Sequence, residues 1–89
     1  MTEGEFAWSA TVQLRVDDPR VADWLHRSLL PEASREVPRA QAQLRRGEGP
    51  TVELTIQARD SGAMRAALNT YLGWIHLSLA TARTALPAR

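Results

Sequence analysis

Asp60 to Thr84 reads DSGAMRAALNTYLGWIHLSLATART. Past Gly62 no residue in it breaks a helix, and Leu86-Pro87 marks where a helix must stop. At 1.5 Å per residue such a helix is ~36 Å long, more than a small domain is usually wide. Asp60 or Ser61 suits the N-cap, a side-chain oxygen accepting from a first-turn amide. The spacing predicts one helix over 61–85, and the rest of the chain must supply the surface it packs on.

That helix carries more apolar surface than one sheet covers. At ~100° per residue, Met64, Leu68, Tyr71, Leu72, Ile75, Leu79 and Ala82 fall on one arc, the core face. Arg65, Asn69, His76 and Arg83 make a polar stripe beside it. Ala66, Thr70, Trp74, Leu77 and Thr81 form a further arc, roughly opposite the first. A helix apolar on two sides has two things to pack against. Either the first helix of the chain covers this arc within the monomer, or a partner helix does.

Working back from Asp60, TVELTIQA alternates over 51–58, with Val52, Leu54, Ile56 and Ala58 facing inward, a strand with one buried face. Gly47-Glu48-Gly49-Pro50 is a hairpin connection, where glycine supplies a positive φ. Over 38–46 a weaker strand puts Ala40, Ala42 and Leu44 inward, and Pro38 sets its start at an edge. Residues 31–36, PEASRE, read as a polar loop. Before it, Asp18 is a suitable N-cap and Pro19 a suitable first residue for a helix over 18–30, which Pro31 closes. Val21, Leu25 and Leu29 are its core stripe, with Trp24 and Ser28 at the margin. Residues 6–16, FAWSATVQLRV, alternate strictly, with Phe6, Trp8, Ala10, Val12, Leu14 and Val16 on one side. The order is β-α-β-β-α. Only one face of each strand is apolar, so two helices must cover one face of a three-stranded antiparallel sheet, an α+β two-layer fold. The first strand is expected to pair with the third, leaving an exposed edge on each side.

The whole chain has 89 residues, one domain, and a chain of this size buries roughly 60–65% of its unfolded surface. Association with another chain helps so thin a core. A 44% hydrophobic and 24% charged composition is that of an ordinary globular protein, not a disordered tail. With no cysteine, disulfide frameworks and thiolate metal sites are excluded. MTEGEF has neither a basic region nor an apolar run, and no segment approaches the ~20 apolar residues of a membrane span. The expectation is a cytoplasmic protein without membrane contact. A net charge of +1 makes a poor electrostatic nucleic-acid binder on its own. All 11 basic residues are arginine, which suits bidentate contact to phosphate and is equally compatible with a coding bias.

No constellation for catalysis stands out. His26 and His76 lie on different helices without a spaced acid or ligand partner. Asp17-Asp18 before Pro19 reads as a cap rather than a carboxylate pair, and Ser61-Gly62 lacks the flanking glycines of a nucleophile elbow. The Gly47-Glu48-Gly49 turn leads into a strand, lacks the phosphate-loop lysine and is no G-x-x-G clamp. The chain is therefore expected not to be an enzyme and to need no cofactor or metal.

Three features suit binding instead, each with a plainer reading. Trp24, Ser28, Thr70, Trp74, Leu77 and Thr81 offer bulk with small neighbours for a partner's helices, unless the tryptophans are simply core. An exposed strand edge suits pairing with a second copy, a homodimer with a continuous six-stranded sheet, unless the edge is protected. Arg39, Arg45, Arg46, Arg59, Arg65 and Arg83 suit phosphate contacts, unless they are solvated surface.

The stretch SGAMRAALNTYLGWI resembles the second helix of the small Pcc-type subunit of the KEOPS tRNA-modification complex. The elements that carry the resemblance are Ser61, Arg65, Asn69-Thr70-Tyr71-Leu72 and Trp74-Ile75, with Arg-x-x-x-Asn-Thr-Tyr-Leu the least accidental. Val37-Pro38-Arg39 and Asp60-Ser61-Gly62-Ala63 also fall where that family has similar runs, and the likeness extends over nearly the whole chain. It implies a KH-like fold and a non-catalytic subunit that dimerises and docks its helices on the catalytic ATP- and metal-binding subunit. It further implies help in holding tRNA while threonylcarbamoyl-adenosine is made, with Arg65 and Asn69 matching the family's polar pair. Gly73 departs from the pattern: a larger residue is expected there, and glycine mid-helix costs roughly 1 kcal/mol against alanine. The alternative is a stand-alone KH-like RNA-binding module.

Overall fold

The computed structural model describes residues 6–33 and 39–85. Its elements are β1 (Trp8–Arg15), α1 (Pro19–Ala33), β2 (Ala40–Arg46), β3 (Thr51–Ala58) and α2 (Ser61–Ala85), the predicted order. The strands form one antiparallel sheet in the order β1-β3-β2. Val12 stands opposite Leu54 on β1–β3, and Leu44 opposite Leu54 on β2–β3. The apolar row of each strand thus lies on the same face. Val52, Leu54, Ile56 and Ala58 are buried beneath Ala22, Leu25 and Leu29 of α1 and Met64, Ala67, Tyr71 and Ile75 of α2. The opposite face is a grid of Ser, Thr, Gln and Arg open to water, where Gln41 Nε2 donates to Gln57 Oε1 at 2.9 Å and Arg45 pairs with Glu53.

Both helices begin as their sequences dictate. Asp18 Oδ1 accepts from the amides of Arg20 (2.7 Å) and Val21 (3.2 Å), an N-cap that satisfies two orphan donors. Burial works to raise the Asp18 pKa, but these two amide bonds, with the Arg20 guanidinium beside them, outweigh it and hold the carboxyl below its ordinary value. Asp60 caps α2 in the same way, accepting from the Ala63 amide at 2.8 Å. Its second oxygen is paired with Arg39. Arg39 reaches that position with a left-handed backbone, φ 67°, and its carbonyl accepts the Arg59 amide at 2.9 Å. The start of β2 is thus fastened to the start of α2, across a conformation that a non-glycine residue adopts only when its contacts compensate.

Several expectations need correction. α1 does not stop at Leu30; it runs through Pro31 to Ala33. Proline removes one intrahelical hydrogen bond, yet Leu29 and Ala33 are both buried and hold the last turn on the core. The Tyr71 hydroxyl donates to the Glu32 carbonyl at 3.3 Å, meeting one of the acceptors that a helix end leaves orphaned. Burial, with the Glu32 carboxylate nearby, raises the Tyr71 pKa, so the phenol stays a donor. The first strand is shorter than 6–16: Phe6, Ala7 and Val16 flank it. β2 starts at Ala40 rather than Pro38. The loop expected over 34–36, the Val37-Pro38 entry and the stop at Pro87 lie outside the described residues.

The hairpin between β2 and β3 is held by two side chains, Thr51, whose hydroxyl donates to the Glu48 carbonyl at 2.7 Å, and Arg46. Arg46 Nη1 donates to the carbonyls of Gly47, Gly49 and Thr51 at 3.1, 2.8 and 2.8 Å, and Nε to Asp23 of α1 at 2.9 Å. Gly49 takes φ +62°, the left-handed position that a glycine fills without steric cost.

Candidate functional site

α2 has 25 residues, about 37 Å at the α-helical rise, whereas the eight residues of β3 span about 26 Å. The helix therefore overhangs the sheet by about two turns. Its buried line is Met64, Tyr71, Ile75 and Ala82. Two flanks leave that line at ~60–120° on either side, as the ~100° per residue of a helix dictates.

One flank turns toward α1 and β2. Trp74 is half-buried here and meets Tyr71 edge-on, with ring centroids 5.2 Å apart. Trp74, Ala66, Thr70 and Tyr71, with Arg39 and the first residue of β2, Ala40, line an apolar groove of about 360 Å³. Beyond it Leu77 is 63% exposed, and Thr70 and Thr81 are exposed as well. The Thr81 hydroxyl bonds back to the Leu77 carbonyl at 3.0 Å and demands nothing from a partner. On α1, Trp24 is half-buried and Ser28 exposed, and the Trp24 indole N–H is buried without an acceptor among the described residues. α1 thus covers this arc only in part. Trp74 is half-buried against Tyr71, and Leu77 is left to water.

The other flank is rich in leucine. Leu68 and Leu79 are half-buried, and Leu72, expected in the core, is 45% exposed. The cause is the position of the helices: α1 lies chiefly over β2 and α2 chiefly over β3, so β1 receives only partial cover, from α2. None of β1 is buried. Ala10, Val12 and Leu14 only lean on the core, and Trp8 is 48% exposed. The alternation of β1 announces an inward row; that this row is only half-covered is invisible in the sequence.

The six candidate arginines do not converge. Arg39 is paired with Asp60 near the start of α2; Arg45 with Glu53 at 2.9 Å and Arg46 with Asp23 lie toward the hairpin. Arg59 follows β3 and is exposed. Arg65 and Arg83 are exposed on α2 and have no ion-pair partner among the described residues, and Asn69 is exposed between them. Near the hairpin, Gln13, Arg45, Arg46, Glu48 and Glu53 line a shallow polar depression whose charges are of both signs. Neither His26 nor His76 has a cluster around it, and no group of three His, Cys, Asp or Glu able to hold a metal exists among the described residues. No helix among them is long and apolar enough to cross a membrane.

Residues 9–83 match the family model described as transcription factor Pcc1. The chain belongs to the Pcc1 family. That is the family of the small KEOPS/EKC subunit, within tRNA modification, and the match runs from β1 to the last turn of α2. No curated protein matches the chain. The Pcc1 assignment bears out the resemblance seen in α2 at the level of the family, and the β-α-β-β-α order agrees with the fold expected from it.

Proposed function

We propose that this Pcc1-family chain is a non-catalytic assembly subunit of the KEOPS complex. It self-associates through a strand edge and docks its helical layer on the catalytic ATP- and metal-binding subunit, so supporting threonylcarbamoyl-adenosine formation on tRNA in the cytoplasm. The observation that carries this reading is α2, a helix apolar on two flanks and solvated on both. Leu77 is 63% exposed on one and Leu72 45% exposed on the other. An exposed leucine is ordinary, but two leucine-bearing flanks on one helix suit a helix with several partners. The docking surface is Trp24 and Ser28 with Thr70, Trp74, Leu77 and Thr81. Small and large side chains alternate there, as close helix packing requires. Contact with tRNA comes through the assembled complex. Arg65 and Arg83 lead among the six arginines, since Arg39, Arg45 and Arg46 already hold carboxylates.

Leu77 is the residue to test, because Trp74 is half-buried against Tyr71 and its loss disturbs the core as well. Leu77→Arg is expected to leave the circular dichroism spectrum and the unfolding midpoint unchanged while abolishing co-elution with the catalytic subunit in size-exclusion chromatography. Undiminished co-elution of the folded variant would sink the docking reading. Tight binding of tRNA by the isolated chain, steeply weakened by salt, would favour a stand-alone RNA-binding module in its place.

A further inference from the structure

We propose that Tyr71 couples the apolar groove to the last turn of α1. That turn, residues 31–33, opens apart from the rest of the fold, and the Tyr71 hydroxyl is its latch. The device belongs to the chain alone and needs neither a second copy nor a catalytic subunit.

The turn is weakly held from within. Pro31 lies inside the helix and has no amide hydrogen, so the bond to the Arg27 carbonyl, four residues back, is missing, and the proline ring crowds that carbonyl. The turn also buries little. Leu25 and Leu29, which precede it, are 0% and 2% exposed, whereas Pro31 is exposed, Glu32 half-buried, and Ala33 contributes only a methyl group to the core. Segments with few buried apolar contacts open at a lower free energy than the core does, in small cooperative units.

The latch comes from α2. The Tyr71 hydroxyl donates to the Glu32 carbonyl at 3.3 Å, longer than the ~2.7–2.8 Å usual for a hydroxyl donor, so the bond is readily given up. The same ring lines the groove beside Thr70 and Arg39, and Trp74 meets it edge-on with centroids 5.2 Å apart. Tyr71 is itself buried, and in a close-packed surround its ring cannot shift on the groove side without moving the hydroxyl on the other. A change in the packing around Trp74 therefore reaches Glu32 through one side chain. The coupling is reciprocal: an open turn alters the ring that the groove presents.

Amide hydrogen exchange of the intact chain, followed by NMR across a series of low urea concentrations, tests each part. In the wild type the Glu32 and Ala33 amides are expected to exchange roughly tenfold or more faster than that of Leu54 in β3, with little dependence on urea, since a local opening exposes little surface. Exchange of all three at one rate, with one steep urea dependence, overturns the separate opening and needs no variant to show it. Tyr71→Phe keeps the ring and removes the hydroxyl. It is expected to speed Glu32 and Ala33 roughly fivefold, the effect of one ordinary hydrogen bond. Unchanged rates mean that Tyr71 is not the latch. Trp74→Leu removes the edge-on ring on the groove side and is expected to speed the same two amides by roughly two- to tenfold, the range an aromatic pair is worth. Faster exchange at Leu54 alone would show that Trp74 supports the core and not the turn, and the coupling fails. Pro31→Ala restores the missing bond and is expected to slow Glu32 and Ala33 roughly tenfold or more; no change there removes Pro31 as the weak point and overturns the device.

Discussion

Asp18 shows how one side chain contributes to the pH dependence of the fold. Amide bonds from Arg20 and Val21 and the Arg20 guanidinium hold its carboxyl below the ordinary value against the opposing effect of burial. With the folded value below the unfolded one, the unfolded chain binds more protons in the window between them, so stability there rises with pH. The contribution is fully present above the ordinary carboxylate range of ~4 and is lost as pH falls through the folded value. Asp18→Asn keeps a capping oxygen and removes the charge. Urea unfolding followed from neutral pH into the acid range is expected to show the variant less stable at neutral pH, with the gap closing as pH falls. A gap that stays constant with pH contradicts this account. Arg39 is the other residue whose backbone and partner must be read together. Its left-handed φ is paired with an ion pair to Asp60 and with a carbonyl that accepts the Arg59 amide. Nothing in Val37-Pro38-Arg39 as a string announces that conformation.

At the scale of the element, α2 is the most legible part of the chain and also the one most altered by its surroundings. Its bounds followed from the absence of any breaker, a property of a local run, and of the two cap candidates, Asp60 and Ser61, the structure uses Asp60. Leu72 was placed in the core on spacing alone and stands 45% exposed, because periodicity fixes which side chains share an arc and not how wide an arc the neighbours cover. α1 failed differently. Proline ordinarily ends a helix, yet Leu29, Ala33 and the Tyr71–Glu32 bond keep the turn after Pro31 in place, which is tertiary burial overriding a local preference. Gly73 offers a test at this scale. It lies mid-helix on an exposed position, and a Cβ built there meets nothing within 4 Å. Gly73→Ala is expected to stabilise the isolated chain by about 1 kcal/mol in chemical denaturation. If the bare backbone serves close approach of a partner helix, the same variant weakens co-elution with the catalytic subunit; binding that strengthens in step with stability assigns Gly73 no part in docking.

At the scale of the molecule, Leu72 and Leu77 stand on different flanks of α2, and only the flank with Trp74 lines the groove. On the proposed reading, a second copy and a catalytic subunit occupy the chain together. Variants on the two flanks are expected to separate the two associations. Leu72→Arg breaks the dimer in light scattering while co-elution with the catalytic subunit persists, and Leu77→Arg does the reverse. Loss of both associations from either variant alone, with the fold intact, means one shared surface instead of two. The long axis of the molecule, 50 Å against 22 and 17 Å, suits such a part. It is narrow, with a single layer of helices, and it presents surface on several sides.

The sequence by itself determined the element order, the cap at Asp18, a cap for α2 at Asp60 or Ser61, the hairpin turn and the inward row of β3, each of which depends on a few neighbouring residues. It also carried the family, through a helix whose pattern extends over many consecutive positions. The tertiary structure decided what cover each element receives: that α1 sits over β2, that β1 is only half-covered and Leu72 exposed, and that Arg46 is taken up by Asp23 and three carbonyls. Alternation and helical period describe which side of an element is apolar. How much of that side is covered depends on where a second element, distant in the chain, comes to rest, and no local pattern encodes that distance.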